Sequence, residues 1–88
     1  MRPNHSSYIA HILLDSIKDQ FKLKNDKELS VFIGISVPTI SRVRNNHHKL
    51  TETMILRIHE ATDWPSVMIR DLYHQQLIIN SKTNRGKS

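Results

Sequence analysis

One glycine divides two short segments in which apolar residues recur at helical spacing. Before Gly34, Leu29 and Ile33 are four residues apart. After it, Ile40 and Val43 are three apart. Such spacings place side chains on one face of an α-helix. Glycine adopts the left-handed backbone that ends many helices at little cost, so Gly34 is the predicted end of the first segment. The sequence therefore predicts two short helices joined by a tight turn.

The spacing within this pair is more specific than helicity alone. Counting from Asp26, the small Ser30 is fifth, where two crossing helices must approach closely, and Ile35 is tenth, in the turn. Two helices joined by a three- to four-residue turn are the geometry of a helix-turn-helix, expected here over about residues 26–45.

The ends of the two helices follow from their capping residues. The earlier helix is expected over about Lys27–Ile33, with Asn25 or Asp26 as its N-cap. The later one is expected over about Val37–Asn45. Its cap is Ser36 or Val37, since Pro38 fits only in a first helical turn.

Three more helices and no strand complete the prediction, an all-α chain of five helices in one domain over residues 8–76. The first helix is expected over about Tyr8–Phe21, capped by Ser6 or Ser7. The fourth covers about Glu52–Thr62 after Thr51, and the fifth runs from Pro65 or Ser66 to about Gln76. Residues 1–7 are expected to form a flexible arm and residues 77–88 a short C-terminal tail. The expected apolar faces are Ile9, Leu13, Ile17 and Phe21, then Met54, Ile55, Ile58 and Ala61, then Val67, Ile69 and Leu72.

Charge and composition narrow the function. The 88 residues carry a net charge of +5 with a pI near 9.9, and no acid lies between Leu29 and Thr51. A basic surface suits a polyanion such as nucleic acid. The absence of cysteine excludes a disulfide scaffold and a thiol nucleophile. No apolar run is long enough to span a bilayer, so no membrane partner and a cytoplasmic location are expected.

No group of residues predicts catalysis, so the chain is not expected to be an enzyme or to need a cofactor. The adjacent His47 and His48 do not predict a metal site. Neighbouring histidines rarely point at one ion, and no third ligand has suitable spacing.

Residues 34–43 and the pattern from Leu50 to Ala61 carry a resemblance to a known family. They resemble the turn, recognition helix and fourth helix of the lambda-repressor-like domain of the XRE family of bacterial and phage regulators. The resemblance covers about residues 8–73. It implies five helices, a recognition helix in the major groove of double-stranded DNA, and homodimers on paired half-sites. The expected function is a sequence-specific transcriptional regulator, a repressor on a palindromic operator. This chain departs from the family at Asp26, where Gln is usual, and at Arg44, where an acid is frequent.

A helical wheel of the third helix identifies the residues that would meet DNA. With Ile40 and Val43 inward, Arg42 points outward, and its guanidinium can form a bidentate contact with guanine O6 and N7. The expected base contacts are Val37, Pro38, Thr39 and Arg42. The expected contacts to the DNA backbone are Asn25, Lys27, Ser36, Ser41, Arg44, Asn45, His48 and Lys49.

Leu77, Ile78 and Ile79 are three consecutive apolar residues that cannot all point one way on a helix. They predict either an extension of the fifth helix that packs on the core or a contact between two copies, and the homodimer contact is favoured. The alternative function is an antitoxin-like interaction module. Its tail, residues 77–88, would then wrap a toxin-like partner, with or without DNA binding.

Overall fold

The structure, a computed structural model, describes residues 9–85 of the chain, with side chains through residue 81. Within these residues the chain is all-α, with five helices and no strand, as predicted. The helices are α1 (Ile12–Phe21), α2 (Asp26–Ile33), α3 (Val37–Arg44), α4 (Glu52–Thr62) and α5 (Ser66–Arg85).

Side-chain caps begin three of the helices where the sequence expects them. The Oδ1 of Asn25 accepts the N–H of Glu28 at 2.9 Å and starts α2. The Oγ of Ser36 accepts the N–H of Thr39 and starts α3, and Thr51 does the same for α4. Each cap pairs a backbone N–H that the helix cannot satisfy internally. The open choices between adjacent capping residues are thereby resolved in favour of Asn25 and Ser36.

Left-handed residues end the helices and turn the chain. Gly34 closes α2 with φ of 70°. Asn46 follows α3 with φ of 62°, and Asp63 ends α4 with φ of 66°. Asn and Asp tolerate this geometry better than other non-glycine residues. The predicted end of α2 at Gly34 is therefore confirmed.

The first and fifth helices differ from the prediction. Helix α1 begins at Ile12 and not at Tyr8, because the Nδ1 of His11 accepts the N–H of Leu14 and acts as the N-cap. The expected caps Ser6 and Ser7, with the arm of residues 1–7, lie outside the described residues. Helix α5 continues past Gln76 to Arg85, since no glycine or proline interrupts residues 66–85. The expected tail is therefore helical as far as Arg85.

The core lies among all five helices. Helix α5 packs against α1 and α4, and α2 packs against α4 on one side and α3 on another. Val67 is 75% exposed, so its predicted burial is wrong, whereas the predicted burial of Ile69 is confirmed. Ile9 precedes α1 and is half-exposed. No described helix combines the length and the apolar character needed to cross a membrane. The buried apolar residues are Leu13, Leu14, Ile17, Leu29, Ile33, Ile35, Ile40, Val43, Leu50, Met54, Ile55, Ile58 and Ile69.

Candidate nucleic-acid interface

Helix α3 has one buried face and one open face. Ile40 and Val43 are almost completely buried, which anchors the helix on α2. On the opposite side, Pro38, Ser41 and Arg42 are exposed. The guanidinium of Arg42 makes no hydrogen bond or ion pair with any other described residue. The long cationic side chain therefore stands free on the outer face, as the wheel predicts.

The first turn of α3 adds apolar and hydroxyl groups to this face. Val37 is 40% exposed. The hydroxyls of Ser36 and Thr39 are hydrogen-bonded to each other at 2.8 Å, and Thr39 is half-buried. Because both hydroxyls serve the helix start, Ser36 and Thr39 act first as capping groups. The methyl group of Thr39 and the side chain of Val37 suit contact with a thymine methyl.

Arg44 is not on this face, which corrects its expected contact with the DNA backbone. Its side chain is 3% exposed. Nε and Nη2 donate to both oxygens of Asp26 at 2.9 and 2.8 Å. Nη2 also donates to Asp15 at 2.8 Å, and Nη1 donates to the carbonyl of Ile9 at 2.7 Å. Arg44 therefore ties the end of α3 to the starts of α1 and α2 instead of facing solvent.

Burial and hydrogen bonding act in opposite directions on the charge of Arg44. Burial on its own would lower the pKa of Arg44, but the hydrogen bonds that it donates to Asp26 and Asp15 raise that pKa above its ordinary value. The guanidinium therefore stays charged. It also compensates the charge of Asp26, whose Oδ1 lies 3.6 Å from the Nζ of Lys18 as well. Asp26 and Arg44, the two residues noted above as unusual for the resembled family, therefore form an ion pair with each other.

His11 belongs to the same network and was not anticipated from the sequence. It is 2% exposed, and its backbone N–H donates to Asp15 at 3.0 Å. Burial, and then the nearby charge of Arg44, lower the pKa of His11 to about 4. The imidazole is therefore neutral near pH 7, which leaves Nδ1 free to accept the N–H of Leu14.

The start of α2 is exposed and carries mixed charge. Lys27 is exposed, but the amide oxygen of Asn25 is occupied as the cap of the helix. Glu28 reaches back to accept the N–H of Lys24 at 2.8 Å. One backbone N–H that could meet a phosphate is therefore already paired. Lys27 remains the clearest phosphate-binding candidate in this segment.

The connection between α3 and α4 supplies further polar groups. Lys49 is exposed. His48 is half-buried, with Nδ1 2.7 Å from the carbonyl of Lys49. The amide of Asn45 donates to the carbonyl of Ser41 at 2.8 Å, so one of its two donated hydrogens is already used. Among the described residues, no group of three metal-ligating side chains occurs.

Arg57 is a candidate that the sequence did not single out. It is exposed on α4, and its Nη1 lies 3.4 Å from where a Cβ on Gly34 would stand. A second cation therefore borders the turn between α2 and α3. No local pattern marks Arg57, because its position depends on α4 packing against α2.

The predicted dimer residues lie on different sides of α5. Leu77, Ile78 and Ile79 are 36%, 44% and 47% exposed. Ile79 lines a cavity of about 420 Å³ with Ala10, Ile12 and other residues beside α1.

The chain has no match among protein-family models, curated proteins or solved structures. Its class therefore rests on the structure, which defines an all-α protein of five helices over the described residues. Its distinguishing surface is the outer face of α3, acid-free and carrying the unpaired guanidinium of Arg42.

Proposed function

We propose that the protein binds double-stranded DNA in a sequence-specific manner, with α2 and α3 as a lambda-repressor-like helix-turn-helix and α3 in the major groove. In this function Arg42 reads a guanine, and Val37 and Pro38 contact the neighbouring bases. Lys27 and Lys49 bind phosphates on either side, with Ser41 beside them. Covering a promoter in this way would repress transcription.

The observation that carries the proposal is the contrast between two arginines of one helix. Arg44 is buried and fully engaged with Asp15 and Asp26, whereas Arg42 is exposed with no described partner. An arginine that stabilises the fold, such as Arg44, has its guanidinium bound by carboxylates. A free arginine on a helix that lacks acids is suited to bind an anion or a base edge.

The geometry of the surface favours base reading over general phosphate binding. The face opposite Ile40 and Val43 is a single exposed strip on a helix of eight residues. The major groove of B-DNA is wide enough to admit an α-helix, so this exposed strip could lie against the edges of the bases. With Arg42 as the one long polar side chain on the strip, part of the specificity would come from DNA shape and not from base contacts.

Selection of bound duplexes from a random pool tests the proposal. We expect an enriched motif containing a guanine that Arg42 contacts. Arg42→Ala should then weaken binding to the selected duplex by about 1–3 kcal/mol and relax the preference at one base pair. Lys22→Gln is the control, because it removes one positive charge from an exposed side chain that has no described partner and is not among the proposed DNA contacts. Equal losses of affinity for both variants on every duplex would show that Arg42 contributes only its positive charge. The absence of an enriched motif would refute sequence-specific binding.

A further inference from the structure

The first turn of α3 exposes two side chains that consist only of carbon and hydrogen. Val37 is 40% exposed, and the ring of Pro38 is exposed beside it. Neither side chain can donate or accept a hydrogen bond. The nearest hydroxyls, those of Ser36 and Thr39, are hydrogen-bonded to each other at 2.8 Å. We call Val37 and Pro38 the α3 apolar patch.

Arg42 follows Pro38 by one turn on the same side of α3. Residues four apart are neighbours on a helix surface, separated by about 6 Å along the axis. Long side chains on a helix lean toward its N-terminus, over the preceding turn. The expected course of the Arg42 side chain is therefore toward Pro38. A base that the guanidinium contacts then has the α3 apolar patch next to it.

The side chains of α3 match only part of what the bases present in the major groove. Asp or Glu reads cytosine N4, and Asn or Gln reads adenine N6 and N7. Helix α3, Val37–Arg44, contains none of these residue types. Asn45 follows it, but is half-buried and donates to the carbonyl of Ser41 at 2.8 Å. The Ser41 hydroxyl can bond to several bases and selects none.

Two features of the major groove remain as the best matches to α3. Guanine O6 and N7 suit the free guanidinium of Arg42. The only apolar group that an ordinary base pair presents there is the C5 methyl group of thymine, which suits the α3 apolar patch. The exposed strip of α3 therefore fits a guanine beside a methylated pyrimidine.

We infer that α3 recognises a guanine together with the C5 methyl group of a pyrimidine in an adjacent base pair. Thymine carries this group in ordinary DNA, and 5-methylcytosine carries it at the same ring position. Because the α3 apolar patch has no polar atom that could distinguish thymine O4 from cytosine N4, it responds to the methyl group of either base. Methylation of a cytosine at this position therefore raises the affinity. The inference rests on the proposed DNA binding and names the chemical group that Val37 and Pro38 contact.

The size of the effect follows from the burial of one methyl group. Covering one such group with apolar surface contributes about 0.8 kcal/mol, which corresponds to about a fourfold change in affinity. Thymine should therefore be preferred over uracil by about three- to fivefold, and 5-methylcytosine over cytosine by the same factor. We call these two preferences the methyl ratios.

Pairs of duplexes that differ in a single methyl group measure the methyl ratios. The starting duplex is the one enriched from a random pool, and its guanine is the base whose preference is lost in Arg42→Ala. Replacing the adjacent thymine by deoxyuridine removes only the methyl group and gives the first ratio. Placing a cytosine–guanine pair there, with and without a methyl group on the cytosine, gives the second. Deoxyuridine in place of a thymine outside the enriched motif is the control and should leave the affinity unchanged.

A variant of the α3 apolar patch distinguishes direct contact from an effect on DNA shape. In V37T/P38A a methyl group of Val37 is replaced by a hydroxyl and the ring of Pro38 is removed, so both methyl ratios should fall to about one. V31T/P65A is the matched control, because Val31 on α2 and Pro65 before α5 are exposed and undergo the same changes. It should keep both ratios. Each ratio compares two duplexes on the same protein, so a difference in folding stability cancels.

Three results would overturn methyl recognition and leave sequence-specific binding intact. The first is an enriched motif with no thymine next to the guanine. The second is methyl ratios at or below one for the parent protein. The third is parent ratios that persist in V37T/P38A, because the preference would then come from DNA shape. The absence of any enriched motif would instead refute the proposed DNA binding, and this inference with it.

Discussion

Replacing Arg44 by methionine tests the network that fixes α3 in the fold. Arg44 donates four hydrogen bonds, to Asp26, Asp15 and the carbonyl of Ile9, from a side chain that is 3% exposed. Removing one partner of a buried ion pair costs about 3–5 kcal/mol. The carboxylates of Asp15 and Asp26 keep 30% and 25% exposure, so water recovers part of that cost. We therefore expect Arg44→Met to lower the free energy of unfolding by about 2–4 kcal/mol.

The assay is urea denaturation followed by circular dichroism and by the fluorescence of Trp64. Arg42→Met is the matched control, because it makes the same chemical change two residues earlier on the exposed face. It should alter the free energy of unfolding by less than about 0.5 kcal/mol. Equal stability of the two variants would refute the distinction between Arg42 and Arg44.

A third variant separates charge from packing. In R44M/D15N/D26N the two carboxylates that Arg44 contacts are also neutralised. If the cost of Arg44→Met comes from uncompensated charge, this variant should recover more than half of the lost stability. No recovery would mean that the guanidinium acts through packing alone.

Changes at His11, Gly34 and Lys49 should alter stability or DNA binding in measurable ways. Burial lowers the pKa of His11 to about 4 in the folded protein, from an ordinary value of 6.5. Between pH 6.5 and pH 4 the imidazole is therefore protonated only in the unfolded chain. The free energy of unfolding should fall by about 2 kcal/mol from pH 7 to pH 5. His11→Asn, which keeps a capping acceptor, should remove most of that slope, and an unchanged slope would exclude His11 as its cause. In thermal melts, Gly34→Ala should destabilise the fold by about 1 kcal/mol, because Gly34 has φ of 70° and an added Cβ meets only the flexible Arg57. Gly34→Asn should lower the free energy of unfolding by less, because Asn tolerates this backbone better than Ala. Equal losses for the two variants would argue against backbone strain. Lys49→Ala should weaken DNA binding on all sequences alike and reduce the slope of log K against log salt by about one unit, whereas a loss confined to one duplex would make Lys49 a base contact.

Local hydrogen bonding explains which parts of the fold could be predicted. The caps at Asn25, Ser36 and Thr51 each join residues three apart, so their positions follow from the sequence itself. The turn at Gly34 follows from the backbone freedom of one residue. The open face of α3 follows from the spacing of its apolar residues.

The unpredicted parts depend on contacts between distant segments. The sequence predicts a surface position for Arg44, because its partners Asp15 and Asp26 are 29 and 18 residues away along the chain. Histidine is not among the preferred N-caps, so the role of His11 could not be read from its type. The sequence predicts the end of α5 too early, because apolar periodicity fades after Gln76 although no residue breaks the helix before Arg85.

An equilibrium titration measures whether α3 distinguishes one DNA sequence from another. The protein is titrated with the duplex enriched from a random pool and, at the same salt, with a scrambled duplex of equal length and composition. We expect the enriched duplex to be bound at least about a thousandfold more tightly. Arg42→Ala should reduce this ratio of affinities while the protein remains folded. Equal affinity for the two duplexes would contradict the claim that α3 reads base sequence.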